Sequence, residues 1–260
     1  MREIAVEKTT LGDGVEIAGV PLFIGSSDDL LDEIDKVLRN PSPSLLMTLN
    51  VDQVLELEKN PTLFNAFRTA AIRTIDGVPL QWLSRKVAGT SVHRNTGADL
   101  LEIVTDKGRE RAWRIAIAGG APGVADEAAE KLKLKYGGAS VEAVEFPRIS
   151  GPDGHATRSV IASFERGNFD LVFLCLGCPK QETWFLENRQ HLPAGVYIGA
   201  GAAVDFSSGR KKRAPQVLQN FGLEWFWRMA AEPSRLWRRY LVRGPMFVKV
   251  IARSLSKKGQ

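Results

Sequence analysis

The chain has 260 residues, 44% of them hydrophobic and 25% charged, with two cysteines and a formal net charge of +5. A chain of that length buries roughly three quarters of its surface without staples, and two cysteines three positions apart cannot build a secreted-type disulfide framework. Its longest stretch free of charge and histidine, residues 192–204, falls well short of the ~20 apolar residues that span a bilayer, which argues against an integral membrane protein.

Residues 15–24 read as a short strand or hairpin, and Ser26 or Ser27 caps a helix over 28–39 with Leu30, Leu31, Ile34 and Leu38 on one face. After Pro41-Ser-Pro-Ser comes a strand over 45–49, ending in Thr48-Leu49-Asn50, then helical pattern over 51–68 with Pro61 at a helix start. A third strand, 72–75, ends in Asp76-Gly77, and Pro79 opens a helix over 80–87. Thr96-Gly97-Ala98-Asp99 precedes a helix over 100–107, and a strand over 113–118 runs into Gly119-Gly120-Ala121-Pro122-Gly123. Helix 124–136, strand 141–146, a turn over 150–154 and helix 156–166 lead to the apolar run Leu171 to Leu176. That run has the length and Val/Phe/Leu content of a strand buried on both faces. It stops at Gly177 and is followed by helix 181–191 and a last strand over 196–200.

Strands alternating with helices of this length predict an α/β, Rossmann-like fold: a mostly parallel, doubly wound sheet with helices on both faces. Beyond Gly209 the composition changes. A helix over 214–231 is broken at Glu232-Pro233, and a second from Ser234 carries Arg235, Arg238, Arg239 and Arg243 on one side. The predicted organisation is therefore an α/β body over residues 1–208 and a C-terminal helical, basic and aromatic appendage over 209–260. Residues 209–260 hold 13 Lys/Arg against 2 Glu, a net +11, and residues 1–208 hold 22 against 28, a net −6. Such asymmetry points the appendage at an anionic partner, nucleic acid or a membrane surface. Arginines interleaved with Trp, Tyr and Phe suit the membrane interface, although the residues alone leave nucleic acid open.

Several predicted strand ends carry polar groups: Thr48 and Asn50, Asp76, Gly119-Gly120, Gln181 and Glu182, and Asp205. In a parallel sheet these ends share one edge and could line one crevice. The plainer account has Asn50 capping a helix, Asp76-Gly77 forming a turn, and Gln181 and Glu182 occupying a first helical turn. Gly119 to Gly123, between strand and helix, could equally cradle a phosphate or form a tight turn. With Glu142 as a ribose-binding acid, the same stretch would make a nicotinamide-dependent oxidoreductase, and a nucleic-acid-binding protein using the basic tail is a second alternative. Cys175 falls inside the apolar strand, so the Cys175-x-x-Cys178 pair is not expected to act in redox chemistry. His93, His155 and His191 show no metal-ligand spacing.

Nine motifs in order carry a resemblance: T-L-N (48–50), I-D-G-V-P (75–79), R-N-T-G-A-D-L (94–100), G-G-A-P-G-V-A (119–125), L-G-C-P-K-Q-E (176–182), G-A-G-A-A-V-D-F (199–206), K-R-A-P (212–215), L-E-W-F-W-R (223–228) and E-P-S-R-L-W-R-R-Y (232–240). Over about residues 15–250 the chain resembles the WecG/TagA/CpsF glycosyltransferases, glycosyltransferase family 26. The resemblance implies inverting, metal-independent transfer of N-acetylmannosamine, N-acetylmannosaminuronic acid or glucose from a UDP-sugar to a polyprenyl-diphosphate-linked sugar, in the assembly of a cell-surface polysaccharide. It implies no cofactor, no nucleic-acid partner and a peripheral place on the inner face of the cell membrane, held through residues 209–260. A homo-oligomer is compatible with it.

Carried onto this chain, the family pattern makes Asp76 the general base and sets Thr48, Asn50 and Gln181 in the donor site. Arg94, Asp99, Gly177, Glu182, Asp205 and Arg213 are further substrate-binding candidates; the chain departs from the family's R-V-T-G-S-D at Asn95 and Ala98. Without a metal, the departing diphosphate needs fixed donors or cations. Backbone N–H groups at Gly119 and Gly120 and the tail arginines Arg235, Arg238 and Arg239 are the candidates. No leader opens the sequence, so a cytoplasmic location is expected.

Overall fold

A computed structural model describes residues 3–9, 14–147, 154–220 and 222–258. The chain begins with a small antiparallel sheet of β1 (Val6–Lys8), β2 (Val15–Ile17) and β3 (Val20–Leu22). The expected hairpin at 15–24 is present, and β1 is a strand too short to show any periodicity. Helix α1 (Ser27–Leu38) starts at Ser26, whose side chain and that of Asp29 form a reciprocal capping box. Then come β4 (Pro43–Leu49), α2 (Val51–Leu57), α3 (Pro61–Thr69), β5 (Ile72–Ile75), α4 (Val78–Ala88) and α5 (Gly97–Gly108). The second half holds β6 (Arg114–Gly119), α6 (Val124–Lys135), β7 (Ser140–Val144), α7 (Gly154–Gly167), β8 (Leu171–Cys175), α8 (Lys180–Asn188), β9 (Gly195–Gly199) and α9 (Ala203–Ser207). Residues 150–153 of the expected turn lie outside the described residues.

Strands β4 to β9 form one six-stranded, all-parallel sheet in the order β5-β4-β9-β8-β6-β7. Every residue of β5, β8 and β9 is buried, because helices cover both faces. One face packs on α2, α3, α4, α7 and α8 and on the small sheet; the other packs on α1, α5, α6 and α9. The free edge of β5 is partly covered, since Phe23 donates its N–H to the Arg73 carbonyl at 2.7 Å just beyond β3.

The last fifty residues are helical, but not as the two helices expected. Helices α10 (Gln216–Asn220) and α11 (Glu224–Ala231) are separated at Gly222, whose φ is +72°. A left-handed residue stops a helix, and its φ favours glycine at a place where a Cβ would also press on Val78 at 3.0–3.2 Å. Beyond α12 (Pro233–Trp237) the chain widens into a π turn at Arg238–Arg243, passes a 3-10 turn at Gly244–Met246, and ends in α13 (Phe247–Lys258). This last helix belongs to the body's core. Phe247 and Val250 are buried in the same cluster as β1, β2 and α4, the Ser254 hydroxyl accepts from the Val6 N–H at 2.8 Å, and Arg253 pairs with Glu58 at 2.6 Å. Arg243 further pins the π turn to Asp52 and Glu56 of α2, at 3.0 and 2.6 Å.

Candidate active site

The C-terminal ends of β5, β4, β9 and β8 open into one crevice of about 470 Å³. That is the edge where open parallel sheets bind ligands. Thr48 and Asn50 enter from β4, Asp76 from β5, Gly177 and Gln181 from the β8–α8 turn, and Arg94 from the stretch leading into α5. These six sequence candidates, spread from residue 48 to residue 181, meet because the strands are parallel.

Each is placed by local chemistry. Thr48 is buried, with its hydroxyl donating to the Gly199 carbonyl of the neighbouring strand at 3.0 Å. Asn50 serves both readings at once: its Oδ1 caps α2 by accepting from the Asp52 and Gln53 N–H groups at 3.0 and 3.2 Å, while the residue lines the crevice. Asp76 donates its N–H to the Leu49 carbonyl at 2.6 Å, and Gly77 follows at φ +91°, turning the chain sharply into α4. Gln181 is buried, with Oε1 accepting from both the Gly177 and Gly201 N–H groups at 3.1 Å each. Gly199→Ala would put a methyl carbon 2.6 Å from Gln181 Nε2 and 3.2 Å from Glu182 Oε1. Since both side chains are buried, the expected cost is about 1–3 kcal/mol, read as a lower urea midpoint with an unchanged slope.

The electrostatics centre on Asp76. Burial, with the Glu224 carboxylate next, pushes its carboxyl up to about 6, against the pull of Arg94 and Arg228 and with a further push from Asp99. Arg94 lines the crevice, and its charge acts on both Asp76 and Asp99. Arg228 lies over the Phe206 ring, 5.5 Å from its centroid. Asp99 is a step behind: burial opposes its charge, but the Arg213 ion pair at 2.5 Å, Thr96 and Arg94 hold it below its usual value. Nε and Nη2 of Arg213 are buried without hydrogen-bond partners.

Among the described side chains, the remaining candidates do not line the crevice. Gly119 and Gly120 do not line the crevice: a Cβ on Gly119 would sit 2.9 Å from the Cys175 carbonyl oxygen, one on Gly120 would sit 3.1 Å from Val204, and the Gly120 N–H donates to the Cys175 carbonyl at 3.1 Å. Glu182 is fully buried behind Gln181 instead of facing a ligand. Asp205 lies just after the last strand, in α9, and pairs with Lys211 at 2.9 Å instead of lining the crevice. Arg238 is exposed and stacks on Trp237. The side chains of Arg235 and Arg239 lie outside the described residues. Glu142, the acid of the oxidoreductase alternative, pairs with Arg114 at 3.4 Å, at the start of β6 and hence toward the opposite edge of the sheet. Burial pushes the Cys175 thiol up to about 12, and both cysteines are free.

A further part of the crevice wall, not expected from the sequence, comes from Glu224, Trp225 and Arg228 of α11 and from Phe247. The available signal was the i, i+4 spacing of Glu224 and Arg228 inside L-E-W-F-W-R, which places both on one helix face. A family model described as the glycosyl transferase WecG/TagA/CpsF family matches residues 15–260 of the chain.

Proposed function

Because the chain belongs to the glycosyl transferase WecG/TagA/CpsF family, we propose that it transfers a sugar from a UDP-sugar to a polyprenyl-diphosphate-linked sugar with inversion at the anomeric carbon, using Asp76 as general base. The observation that carries this reading is a carboxylate raised to about 6, facing Arg94 and Arg228 in a single crevice at the C-terminal edge of a parallel sheet. A base is most useful when its pKa lies near the working pH, and a leaving diphosphate needs positive charge close by. In one displacement, the acceptor hydroxyl gives its proton to Asp76 while its oxygen bonds to the anomeric carbon. The bond from that carbon to the β-phosphate oxygen breaks, and UDP departs with the electron pair. Arg94 and Arg228 supply the positive charge that a divalent cation would otherwise supply.

The acceptor would be met at a membrane surface. Leu223, Phe226, Trp237, Leu241, Val242 and Val248 are large apolar side chains exposed on the segment that also walls the crevice, and that segment is strongly basic. No helix among the described residues is long and apolar enough to cross a membrane. The reading is tested by incubating the protein with a panel of UDP-sugars and a short-chain polyprenyl-diphosphate-linked acceptor, presented in anionic or neutral vesicles. Expected are UDP release, a product of inverted anomeric configuration and faster transfer on the anionic vesicles. Arg228→Ala is expected to lower kcat on the order of 10²-fold, as removal of one charge-stabilising donor does. No transfer from any UDP-sugar in the panel would overturn the reading.

A further inference from the structure

Glu182 has no exposed surface, yet three of the turns that build the crevice converge on it. Its Oε1 accepts from Gln181 Nε2 at 2.9 Å and from Gln53 Nε2 at 3.4 Å. Gln181 in turn joins the β8–α8 and β9–α9 turns through the Gly177 and Gly201 N–H groups, at 3.1 Å each. Gln53 accepts from the Asn50 N–H at 3.0 Å and so holds the β4–α2 turn. The β9 backbone closes over the pair at Gly199, where a Cβ would be 2.6 Å from Gln181 Nε2 and 3.2 Å from Glu182 Oε1.

The surroundings give this carboxyl hydrogen-bond donors but, among the described residues, no cation. Its Oε2 is buried without a hydrogen-bond partner, and no lysine or arginine among the described residues pairs with it. The Cys178 thiol lies against the carboxyl and feels Asp52 of α2, whose own negative charge is taken up by Arg243 at 3.0 Å. α3 and β9, which also pack on α8, send no ion-pairing group to it. Burial raises the Glu182 carboxyl above its ordinary range, opposed by hydrogen bonds from the Gln181 amide, its own backbone N–H, the Cys178 thiol and the Gln53 amide.

We propose that Glu182 is a positioning residue held as a neutral carboxylic acid, whose bonds to the Gln53 and Gln181 amides set the three turns forming the donor wall of the crevice. The proposal rests on reading that crevice as the UDP-sugar site. Neutrality serves the reaction, because an anion behind Gln181 would add to Asp76, Glu224 and Asp99 and oppose the approach of a diphosphate. Glutamine copies the shape and bonding of a neutral acid, whereas alanine leaves both amides without an acceptor.

Two measurements test it. Infrared spectra at pH 8, where Asp76 is ionised, should show a protonated-carboxyl carbonyl band in the wild type that is missing from Glu182→Gln. In transfer assays Glu182→Gln should keep KM for the donor within about twofold of wild type, while Glu182→Ala should raise it about tenfold or more, equivalent to about 1.4 kcal/mol. Absence of the band, its persistence in Glu182→Gln, or a glutamine variant as impaired as the alanine one or unable to fold, would each overturn the proposal. A band present in a wild type that binds no UDP-sugar would overturn the donor reading and leave the proton on Glu182.

Discussion

Replacing Asp76 with asparagine is expected to lower turnover by about 10²–10⁴-fold and, at the same time, to make the folded protein more stable above pH 6. The loss follows from removing a positioned base while keeping its shape. The gain follows from linkage. The carboxyl is raised from 3.8 to about 6 in the folded protein, chiefly by burial, so the folded state holds the proton more tightly than the unfolded one. A raised acid leaves stability intact below the unfolded pKa, near 3.8, and takes it away as pH rises toward 6. Above that, the wild type carries a penalty of about 3 kcal/mol, from a shift of about 2 units at 1.36 kcal/mol each. Asparagine never ionises and escapes it. Urea titrations at pH 8 should therefore show a higher midpoint for Asp76→Asn, with the difference vanishing near pH 4. In the wild type, kcat/KM should fall as pH drops below about 6, since Asp76 then holds the proton it must accept. Near-normal turnover of the asparagine variant would sink the assignment.

A chain ended after Gly244 is expected to lose both its transfer activity and its cooperative thermal transition at the wild-type temperature. Such a chain lacks α13, and with it Phe247 and Val250 from the core, the hydroxyl that satisfies the Val6 N–H, and the Arg253–Glu58 pair. Total stability in domains is only about 5–15 kcal/mol, and emptying one buried aromatic site costs about 3–5 kcal/mol by itself. Phe247→Ala is the milder version and should lower the urea midpoint by an amount corresponding to that figure, as Phe247 is 3% exposed. Because Phe247 also borders the crevice, donor affinity should fall with it. A shortened chain that melts like the full one would show that α13 is dispensable to the body.

The strand ends were legible in the sequence because each is punctuated locally. Thr48-Leu49-Asn50, Asp76-Gly77 and Leu176-Gly177 each close an apolar run with a polar or glycine residue, and Pro79 and Pro61 sit in the first helical turn where a missing N–H costs nothing. The parallel sheet then follows from the alternation of strands and helices, and its C-terminal edge gathers Thr48, Asn50, Asp76 and Gln181. Gly119-Gly120 is ambiguous because glycine meets two needs that look alike in sequence: freedom to approach a ligand, and freedom to approach another element, which is β8 at Gly119 and α9 at Gly120. The segment 214–231 was read as one helix because its apolar spacing is continuous, while the contact of Gly222 with Val78, 144 positions away, breaks it.

By itself the sequence determined the fold class, the order of the elements, the family and the place of Asp76 at a strand end, since all of these rest on patterns within a few residues or on motifs in a fixed order. Only the tertiary structure decided which charges face Asp76, that α13 belongs to the core, and that Glu182 lies behind the site while Arg228 stands in front of it. The physical reason is common to all three. Burial and electrostatic pairing depend on distances between residues far apart in the chain. A single break at Gly222 is enough to turn the α11 face, and with it the charge on Glu224 and Arg228, toward the crevice.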